Sequence, residues 1–259
     1  MKTFLKILTL AILFVSCSSN NEGINNNSLT ESFLLKGVQY GSESRQFLDI
    51  YKAESDCSTP VYFDAHGNGG NTYMPNSIIE DLNAQGISVI AWESLTSVNT
   101  PSEVEMGWND AELMFEWVIN NAEEFNLDTS NFIIGGSSRG SIISWKYGHQ
   151  ESPNIKGFYF YNALPDGIWT DPNWWSPTDE VNISSAPIYF VYGREPGASE
   201  NPINPDAHDP ENGIIIINKY QDLGIGDRTA LVHSIGDSNN TDKYQFLVDF
   251  ALSVISSCP

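Results

Sequence analysis

The chain has 259 residues, with 33 Asp plus Glu against 12 Lys plus Arg and a formal net charge of −21. Such a surface repels nucleic acid and anionic lipid, and it disfavours a strongly anionic substrate unless basic side chains gather locally. No internal repeat or break in composition interrupts the chain after its first thirty or so residues, so one domain with a substantial core is expected.

Lys2 and Lys6 precede an apolar run from Ile7 to Val15 that ends at Ser16-Cys17, and residues 1–16 read as an export signal. The run is too short to cross a bilayer as a mature helix. A small residue followed directly by cysteine resembles the cleavage and lipidation site of bacterial lipoproteins, although Phe14 stands where leucine is more usual. That resemblance implies a lipid on Cys17 and a chain anchored at a bacterial envelope, on the outer membrane or cell surface. An ordinary secretory signal is the plainer alternative. Residues 17–32, rich in Ser and Asn, would form a flexible tether, leaving 33–259 as the folded domain. Losing residues 1–16, which hold two basic and no acidic side chains, takes the formal charge from −21 to −23. Cys57 and Cys258 then remain as an even pair, which suggests a disulfide in an oxidising compartment. Cys57 lies just before a predicted strand and Cys258 ends the last predicted helix, and strand starts and helix ends share one side of an α/β sandwich. Two free thiols are the other reading.

In chain order, Phe33-Tyr40 and Arg45-Tyr51 are strand-like runs around Gly41-Ser42-Glu43-Ser44, a hairpin pattern. Val61-Ala65 is a short apolar strand, followed by a helix with Ile78, Ile79 and Leu82 on one face that stops at Gly86. Ile87-Trp92 is the next strand. Glu103 to Asn126 is helical, with Met114, Val118, Ala122 and Phe125 on one stripe. Phe132-Ile134 is a buried strand, Gly140-Tyr147 a helix, Gly157-Leu164 and Ile188-Tyr192 strands, and Ile214-Leu223 a helix. Thr229-His233, or slightly beyond, is the last strand, and Leu247, Phe250, Ala251, Val254 and Ile255 mark the closing helix. Wholly apolar strands alternating with amphipathic helices imply a mostly parallel sheet covered on both faces, with its reactive groups in loops at the carboxyl ends of the strands.

At one such end, Phe132-Ile133-Ile134-Gly135 delivers Gly136-Ser137-Ser138-Arg139-Gly140 and a helix starts at once, the setting that a nucleophile elbow requires. Ser138 is the candidate nucleophile; a glycine-rich turn without chemistry is the alternative. At another, Val61-Ala65 ends in His66-Gly67-Asn68-Gly69-Gly70, a loop suited to turning backbone N–H groups toward a developing oxyanion. The expected donors are the N–H groups of Asn68 or Gly69 together with that of Arg139. His66 itself is expected to brace the loop.

These motifs, with Leu48-Asp49-Ile50-Tyr51 upstream and Trp108-Asn109-Asp110 before the serine strand, resemble the α/β-hydrolase superfamily, and within it the carboxylesterase and dienelactone-hydrolase-like branches, from about Phe33 to Ser257. The resemblance implies an α/β-hydrolase fold with a small cap insertion and a serine-dependent carboxylic ester hydrolase that works through an acyl-enzyme, without cofactor or metal. It also implies an acid after the next-to-last large strand and a histidine after the last.

The expected loop near Gly236-Asp237-Ser238-Asn239-Asn240 holds no histidine; the chain has only His66, His149, His208 and His233. His233 is the first choice of base if its strand ends there, and a half-buried sheet residue if the strand runs on. His208, in Asn204-Pro205-Asp206-Ala207-His208-Asp209-Pro210, is the second. His149 ends a helix and is discounted. Glu195, after Gly193-Arg194, is the first choice of acid and Asp206 the reserve. The strandless stretch of about 165–185 reads as a cap, and its Trp169, Trp174 and Trp175 among carboxylates suit sugar rings, so an acylated carbohydrate is the expected substrate; packing the cap onto the sheet is their other use. Asp206, Asp209 and Glu211 fit no complete calcium ligand set. Without a reachable imidazole, the fold would instead serve as a catalytically silent scaffold that binds a glycan or peptide.

Overall fold

The computed structural model describes residues 30–70, 72, 74–149, 154–164, 174–197, 208–235 and 242–256. Cys17, Asp206, Trp169 and Cys258 lie outside them.

The chain opens with β1 (Phe33–Gln39) and β2 (Phe47–Lys52), an antiparallel hairpin in which Leu35 faces Ile50. It continues through β3 (Thr59–Ala65), α1 (Asn76–Ala84), β4 (Ser88–Trp92), α2 (Pro101–Asn121), β5 (Leu127–Ser137), α3 (Arg139–His149) and β6 (Ile155–Tyr161). It ends with β7 (Ile188–Val191), α4 (Pro210–Asp222), β8 (Thr229–Val232) and α5 (Leu247–Val254). The eight strands form one sheet in the order β1-β2-β4-β3-β5-β6-β7-β8, parallel from β4 to β8.

Alternation along the strands splits the apolar side chains into two cores. Val61, Phe63, Ala65, Phe132 and Ile134 face α2, α3 and α4, whose Phe115, Val118, Ile143, Trp145 and Ile216 cover them. Tyr62, Val89, Ile133 and Tyr159 face α1 and α5, which contribute Ile78, Leu82, Leu247 and Ala251. Every residue of β3 is buried, which its near-continuous apolar run demands of a strand with helices on both sides. Each fully buried Phe, Ile or Leu stabilises the fold by about 1.5–3 kcal/mol relative to exposure.

The long helix starts earlier than its apolar stripe, at Pro101, because Thr100 caps it by accepting from the Glu103 N–H at 3.3 Å. The serine strand is also longer than its apolar stretch: β5 begins at Leu127, whose neighbours Asp128, Thr129 and Ser130 are polar and leave no periodic signal. Of the expected cap, residues 165–173 lie outside the described residues, and the rest holds the short 3-10 turn Pro177–Asp179 and no strand.

One topological fact places the site. From β3 the chain crosses to β4 on one side, whereas β5 lies on the other side and leads to β6 and β7. Chain paths diverge between the carboxyl ends of β3 and β5, and such a switch point opens a crevice above the sheet. The His66 loop and Ser138 sit there, with Ala65 paired to Gly136.

Candidate active site

Ser138 occupies the left-handed region at φ 50°, a conformation that costs a non-glycine residue about 1–3 kcal/mol and persists only where its surroundings enforce it. Here its N–H donates to the Tyr161 carbonyl at 2.9 Å, and its own carbonyl accepts from the Ser141 N–H at 3.0 Å and the Ser141 hydroxyl at 2.6 Å. The flanking glycines are sterically required. A β-carbon on Gly136 would lie 2.6 Å from the Gly140 carbonyl carbon, and one on Gly140 only 1.9 Å from the Ala65 carbonyl oxygen.

Of the four imidazoles, His208 is the one at the serine: its Nε2 lies 3.0 Å from Ser138 Oγ. His208 immediately precedes α4, whose cap residue Asp209 is buried and accepts from the Glu211 N–H at 2.9 Å and the Gly197 N–H at 3.2 Å. That carboxylate ties the histidine segment both to the helix start and to the turn after β7.

His233, the first choice from the sequence, is placed elsewhere. β8 stops at Val232, Ser234 turns the chain through φ 63°, and the Ile235 N–H bonds back to the Tyr192 carbonyl at 3.4 Å. The imidazole thereby faces solvent and Glu195, with Nδ1 3.2 Å from Glu195 Oε2 and 2.9 Å from Ser234 Oγ. Glu195 also accepts from the Ser234 hydroxyl. Glu195 and His233 thus pair as expected of an acid and a base, but away from the serine. The reserve acid, Asp206, lies outside the described residues. His149 is a core residue stacked between Trp145 and Phe158, with Nδ1 3.0 Å from the Trp145 carbonyl. Burial pushes its pKa down to about 4.

His66 braces the loop after β3. Its Nδ1 contacts the Gly67 carbonyl oxygen at 2.6 Å, and its Nε2 contacts Glu93 Oε1 at 2.6 Å. Glu93, at the end of β4, also accepts from the Ser94 N–H at 2.9 Å. Across the His66 ring lies the fully buried guanidinium of Arg139, whose pKa burial pulls down to about 10, still charged at neutral pH. Neither Glu93 nor the Arg139 side chain carried a recognisable signal; a carboxylate ending an otherwise apolar strand was the one hint.

Among the expected amide donors, Gly69 is already engaged: its N–H donates to the Thr96 carbonyl at 2.7 Å. This corrects Gly69 as an oxyanion donor and leaves Asn68. Gly67 joins it as a candidate the sequence reading passed over, because a β-carbon there would lie 3.6 Å from Ser138 Cβ. The N–H groups of Gly67, Asn68 and Arg139 donate to no backbone acceptor among the described residues.

Two of the tryptophans expected to meet substrate are used in packing. Trp175 is buried, its indole N–H is held by Glu180 at 3.1 Å, and its ring lies edge-on to Trp108 of α2. Trp174 stacks on the same Trp108 at 5.3 Å between centroids and 15° between planes. Trp175 is therefore closed to a sugar, whereas Trp174 is half-buried, with one face on Trp108. Cys57 is disulfide-bonded.

No family model matches the chain, and no curated protein matches it in sequence. Solved structures do. It is similar to a truncated carbohydrate esterase from gut microbiota, with a TM-score of 0.64 at 16% identity over 86% of this chain and 96% of the other. Thermogutta terrifontis esterase 2, phosphonylated by cyclosarin, gives 0.65 at 14% identity over 89% and 97%. MGS-M1, an α/β-hydrolase enzyme from a Medee basin deep-sea metagenome library, gives 0.65 at 12% identity over 86% and 96%. Likeness at such identities speaks for architecture, and it agrees with the sheet order, the elbow and the switch-point site: the chain has the α/β-hydrolase fold.

Proposed function

We propose that the protein is a serine-dependent carboxylic ester hydrolase in which Ser138 is the nucleophile and His208 the general base. The observation that carries this reading is the 3.0 Å separation between Ser138 Oγ and His208 Nε2, within reach for proton transfer. The hydroxyl donates to Nε2 and attacks the ester carbonyl carbon as the imidazole takes its proton. The imidazolium then protonates the departing alcohol, and water repeats the sequence on the acyl-enzyme. The negative charge on the tetrahedral intermediate is received by the Arg139 N–H and those of Asn68 and Gly67. The imidazole contact removes the reason for preferring a silent scaffold.

An acylated carbohydrate is the substrate class in this reading. It is supported by the likeness to the gut-microbiota carbohydrate esterase; of the three tryptophans expected to meet it, Trp175 is buried, Trp174 is half-buried against Trp108, and Trp169 lies outside the described residues. We further propose that Cys17 carries a lipid anchoring the protein to a bacterial envelope, and that Cys57 and Cys258 are bridged; the Lys2-to-Cys17 pattern and the bonded state of Cys57 support these.

Labelling with a fluorophosphonate tests the catalytic reading. Wild type should label, and Ser138→Ala and His208→Ala should not. Absence of labelling in wild type would remove the hydrolase reading altogether.

A further inference from the structure

We propose that the buried side chain of Arg139 is a positioning residue that, through His66, aims the Gly67 and Asn68 amides at the oxyanion; this rests on the reading of Ser138 as the nucleophile. Arg139 has two separate parts in the site. Its backbone N–H follows the serine, whereas its side chain packs on His66, in the loop beside that serine.

A guanidinium only 1% exposed needs partners, since burying a charge without them is prohibitively costly. Nε and Nη2 find them in His66, while the buried Nη1 has no hydrogen-bond partner among the described residues. The His66 carbonyl oxygen accepts from Nε at 3.2 Å and from Nη2 at 3.0 Å. Nη2 is also 3.1 Å from each ring nitrogen of His66, a position possible only over the ring face. Glu93 Oε1, 3.9 Å from the same Nη2, balances the charge and holds the ring edge. The next carbonyl is captured too, since Gly67 O meets His66 Nδ1 at 2.6 Å and the Gly70 N–H at 3.1 Å.

A trans peptide is planar, so its C=O and the following N–H point in opposite directions. Drawing the His66 and Gly67 carbonyls into the Arg139 network therefore turns the Gly67 and Asn68 N–H groups away from it. Successive amides on one side form a small anion-binding concavity. Neither has a backbone acceptor among the described residues, and a β-carbon on Gly67 would be 3.6 Å from Ser138 Cβ, so the concavity opens beside the nucleophile. Lysine cannot replace arginine here. A single ammonium can keep the charge, but it cannot deliver two bonds to one carbonyl while lying over the ring.

The test compares Arg139→Lys and Glu93→Gln with wild type in two measurements. With p-nitrophenyl acetate, Arg139→Lys should lower kcat by about 100-fold with KM changed less than about 3-fold, as expected when a transition-state donor is misaligned. In 1H–15N spectra of the unliganded protein, the Gly67 and Asn68 amides should shift in both variants while those of β6 and β7 stay in place. Glu93→Gln keeps the side-chain volume and Arg139 itself, so it stands in if Arg139→Lys does not fold. Unmoved Gly67 and Asn68 amides in a folded variant would overturn the proposal, as would kcat within about 3-fold of an active wild type. A wild type that neither hydrolyses nor labels would sink the esterase reading only, and the amide shifts would still decide whether Arg139 orients the loop.

Discussion

Glu195 and His233 face each other across the carboxyl ends of β7 and β8, with Oε2 3.2 Å from Nδ1, yet both side chains are exposed and neither hydrogen-bonds Ser138 among the described residues. An exposed pair of this kind contributes at most about 1 kcal/mol to stability. His233→Ala should accordingly leave kcat/KM within about 3-fold of wild type, whereas His208→Ala should lower it by at least about 1000-fold. Steady-state hydrolysis of a short-chain p-nitrophenyl ester measures both. Equal losses in the two variants would return the base to His233.

Asp209 joins the His208 segment to its scaffold, because one carboxylate caps α4 and holds the Gly197 N–H. Asp209→Ala should cost about 1 kcal/mol of stability through the lost cap. Its effect on kcat should be larger, about 10-fold, since the residue carrying the imidazole is released on one side. Thermal melts alongside kcat separate the two, and a kcat unchanged in a destabilised protein would limit Asp209 to helix capping.

At Gly140 there is no room for a methyl group. Its β-carbon would lie 1.9 Å from the Ala65 carbonyl oxygen, and that atom belongs to a buried strand paired on both sides. Overpacking typically costs about 1–3 kcal/mol where side chains can yield, and backbone yields less. Gly140→Ala should therefore melt well below wild type, or fail to fold, and should lose fluorophosphonate labelling. Normal melting and normal labelling would contradict the close packing of α3 on β3.

His149 sets an acid limit on stability. Burial among Trp145 and Phe158 lowers its pKa to about 4, and its Nε2 has no hydrogen-bond partner among the described residues. Unfolding returns the imidazole to its ordinary value near 6.5, so the unfolded chain binds the extra proton first. The neutral ring's contribution is complete above about pH 6.5 and drains away as pH falls toward 4, by about 3 kcal/mol in all. His149→Phe, which keeps an aromatic ring in the stack, should flatten urea-derived stability over that interval. An unchanged slope would mean that other groups control the acid limb.

Much of this architecture could be read from local patterns. The apolar runs at Val61-Ala65, Phe132-Ile134 and Ile188-Tyr192 became β3, β5 and β7 because burial on both faces leaves few other residue types. The elbow was legible for a steric reason: glycines at 136 and 140 are needed wherever a strand turns so abruptly into a helix. The base was not. Whether His208 or His233 reaches Ser138 depends on the path of the chain between β7 and α4 and on the turn at Ser234, and neither leaves a periodic trace. Glu93 and the Arg139 side chain were hidden for a related reason, since their partner His66 stands 27 residues from one and 73 from the other. That Trp175 is buried and that Trp174 stacks on Trp108 are contacts that composition cannot disclose.

Because the imidazole at Ser138 precedes α4, the elements that follow it, β8 and α5, supply none of the reacting groups in this reading. Damage to β8 or α5 should therefore reach the chemistry only through the fold: the Tyr244 hydroxyl donates to Asp64 in β3 at 3.2 Å, and Leu247 and Ala251 cover one face of the sheet.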